Sequence, residues 1–252
     1  MCRHLGYIGP PVSLRSLLID PPHGLYRQAW APRMQRHGTV NADGFGIGWY
    51  ADGDPVPARY RRAVPIWGDP SLPDLARVTR SSAVLAAVRD ATVGTALGEA
   101  AAAPFASGSW LFSHNGLLAG WPASAAGLAR VEPLLALEAM TDSAFLWLLV
   151  LERLHAGMAP DAALAGTIDA VEAAGGTGRF NFLLTDGQTI VATTAGDTLW
   201  YRRAGDAVTV ASEPCDDEPG WTEVPDRQLL TAAPARVTVR PLSSLTEGIG
   251  IR

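Results

Sequence analysis

The alternation of apolar and polar positions changes character twice along this chain. Short segments rich in β-branched or aromatic residues, bounded by turn residues, occupy 5–9, 46–50, 84–88 and 110–113, and each predicts a strand. A second set follows at 180–185, 189–194, 199–203 and 207–211. Asp186-Gly187 and Gly205-Asp206 separate members of that set as hairpin turns, so the region predicts an antiparallel meander. Between the two sets the period becomes helical over 144–155 and 160–174. Asp142 or Ser143 is the expected N-cap of the first helix, Pro160 opens the second, and Gly157 and Gly175 close them. Apolar residues nearly encircle the helix over 145–154, which predicts that it is sandwiched against a sheet. Strands in blocks with helices grouped between them argue for an α+β layered fold and against an alternating βαβ one. Neither a repeat period nor a linker interrupts the pattern, so residues 2–252 are expected to form one domain.

Composition narrows the function classes. With 252 residues, 48% of them hydrophobic, the chain can bury a full core. A net charge of -5 without a basic run gives no footprint for nucleic acid. The longest apolar run, 144–151, is too short to span a membrane, and the N-terminus has no basic segment leading into an apolar one. A cytoplasmic, soluble protein is expected. Cys2 and Cys215 are too few for a disulfide framework, although a single bridge between them is compatible with the sequence. Together with His4 and His114 they show no metal-ligand spacing, so no metal is expected. The glycine-rich stretch from Asn41 to Gly48 runs into a strand and lacks the helix that a dinucleotide fingerprint requires, and no cofactor is expected. The cluster Cys215-Asp216-Asp217-Glu218 reads as a solvated loop.

Candidate chemistry begins at Cys2. If Met1 is removed, the thiol and a free α-amino group share one residue, which could then carry both nucleophile and base. Three further islands follow in order: Asn41-Ala42-Asp43-Gly44-Phe45-Gly46, Ala87-Val88-Arg89-Asp90-Ala91-Thr92, and Phe112-Ser113-His114-Asn115-Gly116 with Thr141-Asp142-Ser143 after it. Taken singly they have ordinary readings. Asn115-Gly116 could be a turn, Arg89 a surface ion pair with Asp90, and Asp142 a helix cap. Together with Met1-Cys2-Arg3-His4, they resemble the class II glutamine amidotransferases, members of the N-terminal nucleophile hydrolases.

That resemblance implies a four-layer αββα sandwich of two antiparallel sheets. It also implies that Cys2 attacks a γ-glutamyl carbonyl to form a thioester, with Asn115 and Gly116 as the oxyanion hole. Arg89 would hold the substrate α-carboxylate, with Thr92 adding a hydroxyl, and Asp142 would hold the α-ammonium. His114 is kept among the substrate-binding candidates, although the N-terminal mechanism needs no imidazole base and His4 and His114 also read as structural. Arg3 could orient the first strand, lower the thiol pKa or form a salt bridge. Val88 and Ala144 stand where many of these enzymes have His and an acidic residue, and an end at Arg252 leaves no room for a synthase domain. Both points favour hydrolysis over ammonia transfer.

Within the group the chain is most similar to the stand-alone γ-glutamyl hydrolases of ergothioneine biosynthesis. The segments carrying this finer likeness include Asp20-Pro21-Pro22-His23-Gly24-Leu25, Gly196-Asp197-Thr198-Leu199, Ala211-Ser212-Glu213-Pro214 and Val224-Pro225-Asp226-Arg227. The implied substrate is a small-molecule γ-glutamyl conjugate whose leaving group carries a trimethylammonium. Trp49, Tyr50, Trp67, Trp110 and Trp200, with Asp43 or Asp90, are candidate contacts for that cation. Two other readings stay open: a glutaminase subunit or general γ-glutamyl hydrolase, and a catalytically silent binding protein that keeps the fold. The sequence does not fix the oligomeric state.

Overall fold

Period-two segments pair into two antiparallel sheets, and the helices cover their outer faces. The computed structural model describes residues 2–91, 95–234 and 236–242. Its strands are β1 (Arg3–Ser13), β2 (Phe45–Trp49), β3 (Ala58–Arg62), β4 (Arg80–Val88), β5 (Phe105–Ser107), β6 (Trp110–Leu118), β7 (Gly178–Thr185), β8 (Ile190–Thr194), β9 (Trp200–Ala204), β10 (Ala207–Ala211), β11 (Thr222–Glu223), β12 (Gln228–Ala233) and β13 (Arg236–Pro241). One sheet runs β11-β9-β10-β1-β4-β2-β3 and the other β13-β12-β8-β7-β6-β5. Helices α1 (Leu14–Leu18), α2 (Leu25–Gln28) and α3 (Leu72–Val78) lie with the first sheet. Helices α4 (Val131–Leu134), α5 (Asp142–His155) and α6 (Pro160–Ala173) lie with the second.

Three apolar layers hold this arrangement. Leu5, Val84, Ala86 and Val88 pack beneath Leu14, Leu18, Leu25 and Leu72 of the first helical layer. Phe112, Phe180 and Phe182 pack against Phe145, Trp147, Leu164 and Ile168 of the second, with Phe112 stacked on Trp147 at 5.1 Å. Ile8, Leu85, Leu111, Leu183 and Leu230 fill the space between the sheets. The result is the expected α/β/β/α sandwich. The apolar girdle of α5 has the expected cause as well, since the helix packs on α6 and on β5 and β6.

Two local expectations are corrected. The four late strands form two hairpins, not one meander: β7 and β8 pair in the second sheet, whereas β9 and β10 pair in the first. The connection bends at Gly196 (φ 101°), and the buried Asn181 amide secures it by accepting from the Asp197 backbone and donating to Asp197 O. The N-cap of α5 is Thr141, one residue before the expected position. Its hydroxyl accepts from Ala144 N, and Asp142 is thereby freed from capping.

Candidate active site

Cys2 stands immediately before β1, the central strand of the first sheet, which is paired to β4 on one side and to β10 on the other. Alternation along β1 sends Arg3 and Leu5 toward the helical layer and Cys2 and His4 toward the second sheet. Two small adjoining pockets open on Cys2. One is polar and is lined by Cys2, Arg89, Asp90, Thr95, Gly116 and Asp142. The other is apolar and is lined by Cys2 with Phe45, Val88, Ala103, Phe105 and His114.

The glycine-rich segment before β2 places Arg89. Arg89 N donates to Gly44 O, Asp43 N donates to Arg89 O, and the Asp43 carboxylate accepts from Ala91 N. Gly46 packs against the Ala103 carbonyl too closely for any side chain, and Gly48 lies tight against the Leu111 side chain. The Arg89 side chain is only 8% exposed, so it is not the surface group its ordinary reading suggested. Nη2 donates to Thr95 Oγ1 and to Ala96 O, while Nη1 has no partner among the described residues. A buried guanidinium nitrogen left unpaired is costly, and a carboxylate would satisfy it.

Across the polar pocket, Asp142 accepts from Leu118 N through Oδ2 and from Ser143 N through Oδ1, both at 2.9 Å. The carboxylate is thus fixed by backbone donors and keeps lone pairs for a cationic group. Asn115 lies within β6, opposite Asn181, and not in a turn. It is fully buried, and both its amide oxygen and its amide nitrogen lack partners among the described residues. Ser113 meets His4 between the sheets, so Asn115, two residues on, faces the same layer toward the Cys2 end. Gly116 has φ 157°, and a side chain there would run into the carbonyl of Arg179 and the His114 ring.

His114, named among the substrate-binding candidates, has both ring nitrogens engaged within the protein. Nε2 bonds the Arg179 carbonyl at 2.8 Å and so carries the hydrogen, which leaves Nδ1 to accept from Ser143 Oγ at 3.0 Å. The ring lines the apolar pocket and ties β6 to the start of α5. Thr92 lies outside the described residues. Thr95 and Ala96 join the site without having been singled out, and Ser143, expected only as a possible helix cap within its island, joins it too: Ser143 holds His114, and the other two hold Arg89.

Electrostatics sort these groups. Burial pushes the Cys2 thiol above its usual range, and the Asp90 backbone and the Arg89 charge pull against that rise. Burial lowers His4 to about 3, and it lowers His114 as well, so both rings are neutral near pH 7. Arg3 is fully buried on the opposite face from the thiol, where it donates to Gln35 and Thr198 near the carboxylates of Glu213 and Asp197. It secures the strand, and the charges of both Arg3 and Arg89 act on the sulfur. Both cysteines are free thiols, and Cys215 is buried with its thiol pushed up to about 12. Among the described residues, the aromatic rings that line the two pockets are Phe45, Phe105 and the imidazole of His114, not the tryptophans proposed for a cation.

A family model described as class-II glutamine amidotransferases matches residues 26–205. A γ-glutamyl-hercynylcysteine sulfoxide hydrolase from Mycolicibacterium smegmatis is 43% identical over 96% of this chain and 100% of its own length. One of the same name from Mycobacterium tuberculosis is 44% identical over 96% of this chain and 97% of its own. Among solved structures, a glutamine aminotransferase class-II domain protein from Silicibacter pomeroyi superposes with a TM-score of 0.69 at 27% identity, covering 96% of this chain and 100% of that one. No helix among the described residues is long and apolar enough to cross a membrane.

Proposed function

The chain belongs to the class-II glutamine amidotransferases, and within that family we propose that it is an amidohydrolase that removes glutamate from γ-glutamyl-hercynylcysteine sulfoxide. The observation that carries this reading is the convergence of one thiol, one incompletely paired buried guanidinium and one backbone-anchored carboxylate on a single small pocket. An α-amino acid head presents one anion and one cation. Arg89 Nη1 takes the α-carboxylate and Asp142 the α-ammonium, and the γ-carbonyl is thereby delivered to Cys2.

The chemistry then follows from the residues in place. With Met1 removed, the α-amino group of Cys2 accepts the thiol proton as sulfur attacks the γ-carbon. Burial keeps the free thiol protonated, so the proton has to move with the attack and is not lost beforehand. The Asn115 side-chain amide and the Gly116 N–H meet the negative charge on oxygen. Collapse breaks the C–N bond, the α-ammonium returns its proton to the leaving amine, and a γ-glutamyl thioester remains on Cys2. Water adds to that thioester with the α-amine as base, releasing glutamate and restoring the thiol.

Intact mass, together with glutamate release measured for the wild type and for Cys2→Ala, tests this mechanism. Loss of Met1 and no glutamate release from Cys2→Ala are expected, and full activity in Cys2→Ala ends it. Comparable kcat/KM on glutamine and on the sulfoxide conjugate would replace the hydrolase reading with that of a general glutaminase.

A further inference from the structure

His4 has no part in the chemistry just described, yet it is completely buried two residues from the nucleophile. Its Nδ1 and Ser113 Oγ are hydrogen-bonded at 3.2 Å across the gap between the sheets, and its Nε2 has no partner among the described residues. The backbone of His4 is also held: N donates to Ser212 Oγ, and O accepts from Ser212 N, both at 3.0 Å. Ser113 is followed on β6 by His114, whose ring is fixed from the opposite face by Ser143 and Arg179. The next two residues are Asn115 and Gly116.

We propose that His4 is a positioning residue for the oxyanion hole: through Ser113 it sets the spacing between the strand that bears the nucleophile and the strand that bears the oxyanion donors. The two strands belong to different sheets, so no backbone hydrogen bond fixes their relative register. Leu183 and Ile190 crowd Gly6 there, but apolar packing is not directional and permits small slides. A hydrogen bond is directional, and the His4–Ser113 bond lies close to where a slide would separate the sulfur from the Asn115 amide. The ring stays neutral across the working pH range, so the clamp is not released by pH.

The proposal rests on the amidohydrolase reading, and its test separates the two. Alkylation of Cys2 by iodoacetamide needs the thiol but forms no oxyanion, whereas glutamate release needs both. For His4→Leu, kcat is expected to fall by about tenfold or more, the equivalent of roughly 1.4 kcal/mol. KM stays within about twofold, and the alkylation rate of Cys2, followed by peptide mass, stays at the wild-type value. His4→Asn, which keeps a polar atom within reach of Ser113, recovers most of kcat. An active wild type with an equally active His4→Leu overturns the positioning role alone, as does a loss of alkylation in step with kcat. A wild type that releases no glutamate from any γ-glutamyl amide overturns the reaction and this role together.

Discussion

Asn115 is a residue whose burial is unfavourable unless something binds it. A fully buried amide with neither end paired among the described residues gives up hydrogen bonds that water would have supplied. Replacing it with Ala therefore affects the two states of the enzyme differently. The free protein loses a group that was unsatisfied and changes little in stability, while the reacting complex loses a donor to the oxyanion. Asn115→Ala is expected to lower kcat by about 10²–10³, with Tm unchanged or slightly raised, as steady-state kinetics and thermal melts would reveal. Asn115 was legible in the sequence only in company, since Asn115-Gly116 alone reads as a turn and its role came with the neighbouring islands. Cys2, Arg89 and Asp142 have ordinary readings taken singly, and became legible through the ordered islands that resemble the class II glutamine amidotransferases. Ser113 does not stand out, because its meaning depends on His4, 109 residues away, across a gap that no periodicity describes. His114 was legible as a neighbour of the site but not as a residue whose two nitrogens are already taken.

At the scale of elements, α5 is best understood from its first turn. Thr141 caps the helix and leaves Asp142 to face the pocket, where the N-terminal end of the helix dipole favours a fixed carboxylate. Thr141→Ala is expected to cost about 1 kcal/mol, lowering Tm by a few degrees, and to raise KM for the γ-glutamyl substrate as Asp142 loses its alignment. Thr141→Ser should restore both. The helices α5 and α6 and most inner strands were legible from their apolar periods, whereas β12, inner in the second sheet, lies in a stretch where no strand was expected. The edge elements were not. Strand β3 reads Ala-Arg-Tyr-Arg-Arg, with charges that suit an exposed edge, and Arg59 and Arg61 pair there with Glu138. Strand β5 has three residues, too few for a period to show. Two of the segments that carried the finer family likeness, 196–199 and 211–214, make structural ties. Asp197 pairs with Arg179, Glu213 accepts from Arg33 N and Met34 N, and Ser212 holds the His4 backbone.

Over the whole molecule, two neutral imidazoles are built into the sandwich at the site, and they link stability to pH. In the unfolded chain each takes up a proton near its ordinary value of about 6.5, whereas His4 in the fold resists until about 3. The unfolded state therefore binds more protons throughout that window, and stability falls as pH drops from about 6.5 toward 3. His4 alone accounts for something on the order of 2–3 kcal/mol by pH 4.5. Melting temperature measured against pH should decline over this range, and the decline should be shallower in His4→Asn, which has no such group to protonate. The layered architecture could be anticipated from the grouping of strands and helices, but the split of the late hairpins between sheets could not. That split has a consequence for maturation. Leu5 is bonded to Ala86 on one side and to Ala211 on the other, so the earliest stretch of chain is locked into place only when nearly the last has emerged. At translation rates of about 5–20 residues per second, the N-terminus stays unpaired on that side for roughly 10–40 s. On the proposed mechanism, which needs Met1 removed, that interval is the time an aminopeptidase has to act before β10 closes the second flank of β1.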